Sequence, residues 1–233
     1  MCGLFTAMTS WREAVAFSKA MADAAEPRPD GQEDQEVTYR VMGTLPVIVW
    51  DREAHVRRNV KMRWGFPHRS DWRRPDPIHA RAETVDEKPT FRAAFLDGQR
   101  GIVVVKTFNE GLELPNGKTE QHTITPGNDA PLGFAVIWRR YELEGVPVPL
   151  VACVMVTVPA NALISAITDR MPAFIPQDDW DKWIGEEPVP PAEAKELLKT
   201  IEGVRWTMTK SERAADKSKK RAKPTVSDPG GLF

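Results

Sequence analysis

The chain has 233 residues, 41% of them hydrophobic, and its 32 Lys and Arg stand against 33 Asp and Glu for a formal net charge of -1. At that length folding buries roughly 70–75% of the surface the unfolded chain exposes, so a core forms without disulfide or metal staples. Balanced charge excludes a uniformly basic coat as the way of meeting a polyanion, though not a local basic groove, and two cysteines, Cys2 and Cys153, are too few for a secreted disulfide framework and point to a reducing, cytoplasmic setting.

In chain order, Ser10 and Glu13 have capping-box spacing, and Trp11, Val15, Ser18, Met21, Ala22 and Ala25 follow at helical intervals, which predicts an amphipathic helix over 11–25. Residues 26–36 mix Pro, Gly and charge without periodicity and read as a surface loop. Strand formers then dominate, with strands expected at 37–42, 45–50, 59–64, 101–108, 119–124, 132–138 and 149–158. The longest apolar runs, 101–105 and 150–156, are expected to be central and buried on both faces, the second holding Cys153 as a small hydrophobe. Beyond Pro159 the pattern turns helical: an apolar-periodic stretch through Ile164 and Ile167, a short helix over 178–184, and a third over 192–201 led in by Pro190 and Pro191. A tail over 209–233 carries five basic residues between Lys217 and Lys223 and reads as solvated, with a nucleic-acid arm as the sharper alternative. Strands and helices that neither alternate nor segregate predict an α+β fold, with a curved, partly closed, barrel-like sheet in one domain over 1–208. No run approaches the ~20 apolar residues of a membrane span.

Cys2 carries the most chemical information. Removal of Met1 would leave a cysteine with a free α-amine, whose reference pKa is about 7.7–8.0, beside a thiol of about 8.5, so both nucleophiles are accessible near neutrality. An aldehyde condenses with such an amine to an imine, and the neighbouring thiol closes a five-membered thiazolidine. An internal cysteine lacks this route because its nitrogen is an amide. Position alone does not separate this from an incidental cysteine.

Several blocks occur in order: MCGLFT at the start, KMRWG at 61–65, IHARAETVDEKPTFRAAF at 78–95, Phe108 with Glu110, and TVPANALISAITDRMP at 157–172. Together they resemble the SRAP family, the SOS-response-associated peptidases that sense abasic sites, over roughly 2–172. The resemblance implies binding of single-stranded DNA containing abasic sites, with Cys2 trapping the deoxyribose aldehyde as a thiazolidine. The family is also described as a cysteine peptidase that removes its own initiator methionine. No cofactor, membrane or obligate protein partner is implied.

Laying the family pattern Arg-Cys-Leu-Val-Pro-Ala-x-Gly-Phe-Tyr-Glu-Trp over 100–111 without a gap puts its catalytic glutamate at Glu110. Its task would be to shuttle protons between the attacking amine or thiol and the sugar oxygen that leaves on ring opening. Glu110-Gly111 also has the look of an exposed turn. The chain departs from the family at His79, where asparagine is usual, and at Thr168, where histidine is usual. If both positions face one pocket, His79 would supply the acid/base group from the opposite wall. The resemblance assigns Arg81 and Arg170 to phosphates, Trp64 and Phe66 to base stacking, and Thr168 to the DNA side of the site; the alternatives are salt bridges for the arginines and core packing for Trp64. Leu4 stands at a family arginine, and the usual Trp-Gly-Leu-Ile-Pro is shortened to residues 64–67 (WGFP). His55, His68, His79 and His122 show no metal-ligand spacing with the cysteines. The expected function is covalent capture of abasic DNA through Cys2, Glu110 and His79; the alternatives are a non-crosslinking DNA-binding homologue and a cysteine hydrolase.

Overall fold

The computed structural model describes residues 4–7, 21–22, 37–127, 132–201 and 205–211. The elements in chain order are β1 (Leu4–Ala7), β2 (Met21–Ala22), β3 (Val37–Arg40), β4 (Thr44–Asp51), β5 (Val56–Trp64), β6 (His79–Arg81), α1 (Pro89–Leu96), β7 (Arg100–Val105), β8 (Thr107–Glu113), β9 (Thr119–Pro126), β10 (Leu132–Tyr141), β11 (Leu150–Pro159), β12 (Arg170–Pro172), β13 (Phe174–Ile175), α2 (Trp180–Ile184), α3 (Pro191–Glu196) and β14 (Trp206–Lys210). Short 3-10 turns lie at Ala82–Thr84, Ile164–Ala166 and Gln177–Asp179.

The β-branched run of β7 is the axis of the fold. All six residues of Arg100–Val105 are buried, as expected of a strand covered on both faces. It pairs antiparallel with β10 from Arg100 opposite Ile137 to Val105 opposite Leu132, and it also pairs with β4. β4 forms a long hairpin with β5, from Thr44 opposite Arg63 to Asp51 opposite Val56. β10 pairs with β11. The circle closes where β11 meets β5 in parallel, Ala152 opposite Arg63 and Cys153 opposite Trp64. The five strands β5-β4-β7-β10-β11 thus make a closed barrel, which leaves no free edge among them. The fold is α+β with a barrel core.

A second sheet, ordered β14-β9-β8-β1-β3, grows from the barrel because the chain changes sheet between β7 and β8. The expected single strand over 101–108 is therefore two strands, with Lys106 at the break. Phe108 on β8 fills the space between the sheets, with ring centroids 5.9 Å from Phe134, 5.6 Å from Phe174 and 6.0 Å from Trp206. Trp180 and Trp183 of α2 close one side of the barrel, their indole N–H groups donating to Ile175 O and Gly101 O, both at 2.9 Å. Gly133 is required there: a Cβ on it would come within 2.7 Å of Trp180 Nε1.

Some sequence expectations shift. Met21 and Ala22 form a short strand beside β5, so the helix expected over 11–25 does not include them; 11–20, 23–25 and the loop at 26–36 lie outside the described residues. Pro159–Ile167 contains only a 3-10 turn, with Asn161 Oδ1 accepting from the N–H groups of Leu163 and Ile164 in an Asx arrangement that competes with a longer helix. The helix expected over 192–201 is α3 alone and ends at Glu196. α1 was not foreseen; Pro89 at its first turn starts it in the manner that proline favours. β14 carries the second sheet through Lys210, beyond the domain boundary expected at 208, and the basic run 217–223 lies outside the described residues. Among the described residues no helix is long and apolar enough to cross a membrane.

Candidate functional site

β8 brings Glu110 to its position. Alternation along the strand puts Phe108 and Glu110 on the face turned to the barrel, so the carboxylate, 1% exposed, sits in the interior rather than in a turn. Two neighbours flank β8. On one edge is β1, with Leu4 opposite Asn109 and Phe5 opposite Phe108. On the other is β9, with His122 directly opposite Glu110. In an antiparallel pair facing residues project to the same side, so the imidazole of His122 and the carboxylate of Glu110 share a face.

His122 also has an acidic neighbour on its own strand. Its Nε2 lies 3.3 Å from Glu120 Oε1, and Glu120 is ion-paired with Lys210 of β14. The Lys210 ammonium keeps the Glu120 carboxyl below the usual carboxylate range. On the opposite face of β8, Asn109 Nδ2 donates to Thr123 Oγ1 at 3.0 Å and to Ser211 Oγ at 3.2 Å, which ties β8, β9 and the end of β14 together. The β8 carboxylate is thus mounted on a cross-linked sheet, a requirement for precise positioning. Cys2 lies outside the described residues; in sequence it is separated from Leu4 by Gly3 alone.

The ARAET segment sits against β11. Met155 lies opposite His79, Val156 opposite Ala80 and Thr157 opposite Arg81, in parallel register. His79 is half-buried and meets the ring of Trp64 edge-on, with centroids 6.3 Å apart. The segment bearing Thr168 approaches β11 from its other side: β12 pairs with β11 through Arg170 opposite Pro159 and Pro172 opposite Thr157, on the edge away from β6. His79 and Thr168 thus belong to segments that flank one strand on opposite edges, and the described contacts do not bring the two side chains together. Thr168 is half-buried, with its N–H donating to Ile164 O at 3.1 Å.

The residues expected to touch DNA divide into two groups. Arg81 is exposed. Arg170 is only 8% exposed and is committed internally: its Nη1 donates to Glu83 Oε1 at 2.5 Å, and its Nη2 donates to Glu83 Oε2 at 2.8 Å and to Thr157 O at 2.6 Å. The guanidinium fork matches a carboxylate as well as it matches a phosphate, and here the carboxylate holds it. The Arg170 hydrogen bonds keep the Glu83 carboxyl below its ordinary range. Trp64 and Phe66, expected to stack on bases, are 0% and 1% exposed. Trp64 Nε1 donates to Ile78 O at 3.2 Å, and Phe66 packs against Tyr141 with centroids 5.6 Å apart. Both rings belong to the hydrophobic core and offer no free face.

An aromatic and basic surface lies one step further along the chain. Past Phe66 the loop over 67–76 presents Arg69, Arg73 and Arg74 with the half-buried Trp72, and the Arg73 guanidinium lies 4.9 Å from the Trp72 ring centroid. Arg63 Nη1 donates to Trp72 O at 2.7 Å and anchors this loop to β5. A cavity of about 380 Å³ lies between it and the 141–144 segment. The density of Arg and Trp over 69–74 was the available signal. His122 was also missed; only strand pairing reveals it.

The sequence profile of the SOS response associated peptidase (SRAP) family matches residues 1–216. The chain belongs to the SRAP family. The relatives it resembles include the abasic site processing protein YoaM of Bacillus subtilis, 26% identical over 204 residues that cover 85% of each chain. The abasic site processing protein HMCES of Gallus gallus is 25% identical over 203 residues, 76% of this chain and 60% of that one. A crystal structure of a protein from Bordetella bronchiseptica superposes with a TM-score of 0.74 at 20% identity, covering 91% of this chain and 100% of that one. That likeness is one of fold.

Proposed function

We propose that this SRAP protein recognises abasic sites in single-stranded DNA and captures them covalently through Cys2, made N-terminal by loss of Met1. The observation that carries the reading is the seat of Glu110. It is a buried carboxylate on β8 whose neighbour Asn109 lies opposite Leu4, two positions beyond Cys2 in the chain. Two residues of chain reach at most about 7 Å, so the reactive amine and thiol are tethered to the edge of the strand that holds the carboxylate. The names of YoaM and HMCES as abasic site processing proteins support the substrate class.

The chemistry balances without a cofactor. The α-amine of Cys2 adds to C1′ of the open-chain deoxyribose, and the carbinolamine loses one water to give an imine. The thiol then adds to the imine carbon, with its proton passing to nitrogen, and the thiazolidine ring closes. Glu110 delivers a proton to the ring oxygen as the sugar opens and to the departing hydroxyl as water leaves, and it takes protons from the attacking groups between these steps. His79 is assigned a second acid/base role from the ARAET segment. Arg81, together with the arginines and Trp72 of the 67–76 loop, supplies phosphate contact and a stacking surface along the strand. With a net charge of -1 the protein depends on such placed arginines more than on long-range attraction.

The test is incubation with single-stranded DNA carrying one abasic site, followed by denaturing electrophoresis. An adduct that survives denaturation and disappears in Cys2→Ala supports the reading. Binding without any adduct would assign the chain to non-covalent DNA recognition instead.

A further inference from the structure

At the far end of β7 from the turn into β8, Arg100 is buried to 4% exposure. It lies five residue steps, about 17 Å at a strand's rise, from Val105, and Glu110 is not among the residues lining the cavity beside it. The Arg100 guanidinium lies over two rings, 5.8 Å from the Phe95 centroid and 5.5 Å from that of Trp183. Its Nε is sealed from solvent and has no hydrogen-bond partner among the described residues, and no carboxylate there is ion-paired with it. A buried guanidinium without an anion is costly unless something else compensates it.

Its nearest charged neighbour makes matters worse. Arg52, exposed at the end of the β4–β5 hairpin, points its Nη2 to the same spot. A Cβ built on Gly185 would lie 3.9 Å from Nη2 of both arginines, and one built on Gly98 would collide with Arg52 Nη2 and lie 3.9 Å from Arg100 Nη2. Both glycines have positive φ, 69° and 85°, and end the helices α1 and α2, so the two helix ends leave the approach bare of side chains. Burial and the facing Arg52 bring the Arg100 guanidinium down to about 10, and it stays charged at neutral pH. Arg52 donates from Nη2 to Asp97 O at 3.2 Å. The two arginines line a cavity of about 440 Å³ together with Trp50, His55 and Glu186. Among the described residues Glu186 is the one carboxylate on that wall, and it is taken by Arg57 Nε at 2.5 Å. Trp50 and His55, edge to face with centroids 6.1 Å apart, give the cavity an aromatic rim.

We propose that Arg52 and Arg100 form a second site, separate from the Cys2 and Glu110 region, which binds a phosphate monoester carried on a flat ring system, as in a mononucleotide or the 5′-phosphorylated end of a strand. Two forks converging on one spot demand an acceptor with more than two oxygens and more than one charge, which a phosphate monoester has and a carboxylate lacks. The volume admits a group of mononucleotide size, and the aromatic rim suits a base.

The test uses calorimetric titration of the full chain with deoxyadenosine monophosphate, with deoxyadenosine, and with a short oligonucleotide bearing either a 5′-phosphate or a 5′-hydroxyl. Saturable binding of the monophosphate but not the nucleoside is expected, weakened at least tenfold in Arg52→Gln, a surface change that leaves the barrel intact. A gain from the 5′-phosphate on the oligonucleotide that Arg52→Gln removes identifies a strand end as the source; its absence identifies the free nucleotide. No saturable binding of either phosphate form at millimolar concentration, or binding indifferent to Arg52→Gln, overturns the proposal and leaves Arg100 as a cation stacked on Phe95 and Trp183. Adduct formation by Cys2 is scored in parallel and does not depend on Arg52.

Discussion

Replacing Glu83 by Gln separates the two roles open to Arg170. In the structure Arg170 is 8% exposed and its guanidinium donates to both Glu83 oxygens, at 2.5 and 2.8 Å, so Glu83→Gln keeps the volume but removes the charge and one acceptor. Breaking a fully buried pair from one side costs about 3–5 kcal/mol. The Glu83 side chain is 48% exposed, so water takes up part of the loss, and the expected destabilisation is about 1.5–3 kcal/mol at pH 7. For a domain of this size that lowers Tm by roughly 2–4 °C per kcal/mol. Arg170 depresses the Glu83 carboxyl in the folded state, so its stabilisation is fully present above the unfolded value of about 4.3 and is lost as pH falls through the folded value. Urea unfolding of both proteins at pH 7 and at several acidic pH values reads this directly: the curves are separate at pH 7 and converge in acid. A Glu83→Gln protein as stable as the parent at pH 7, with tighter DNA binding, would refute the scaffold role and return Arg170 to the phosphate backbone.

Further outcomes follow from other parts of the molecule. Glu110→Gln is expected to slow adduct formation by about 10²–10⁴, the usual contribution of a positioned acid/base, with an unchanged urea midpoint; single-turnover crosslinking measures it. His79→Asn restores the usual family residue and is expected to slow the same step and alter its pH profile; an unchanged or faster rate removes His79 from the chemistry. Burial pushes the Cys153 thiol up to about 12, so iodoacetamide at pH 8 is expected to label Cys2 in the native protein and Cys153 only after urea, as peptide mass spectrometry will detect.

The strands of the barrel were legible because β-branched runs such as 101–105 and 150–156 need burial on both faces and leave few alternatives. The break at Lys106 was not, since the two halves of 101–108 have the same composition and only the pairing of β8 with β1 and β9 separates them. The helical stretch expected through Ile164 and Ile167 is only a 3-10 turn because Asn161 captures the backbone locally, an effect that apolar periodicity does not register, whereas the short helices expected later are present as α2 and, in part, α3. At the site, the seat of Glu110 follows from the family pattern alone, whereas its partner across the sheet, His122, lies twelve positions away and emerges only from register. Trp64 and Phe66 carry the right chemistry for stacking, but the closed barrel buries both, which for Trp64 is the alternative of core packing. The Arg170–Glu83 pair spans 87 positions and has no local sequence signature.

The central claim is that Cys2 becomes N-terminal and bonds to the abasic sugar through both nitrogen and sulfur. The most direct measurement is the mass of the tryptic peptide 2–12 after reaction with abasic single-stranded DNA and nuclease digestion. The account predicts a peptide lacking Met1 and carrying the deoxyribose remnant less one water, resistant to both borohydride and alkylation because no imine and no free thiol remain. A peptide that retains Met1, or one that reacts fully with iodoacetamide after exposure to the DNA, would contradict it.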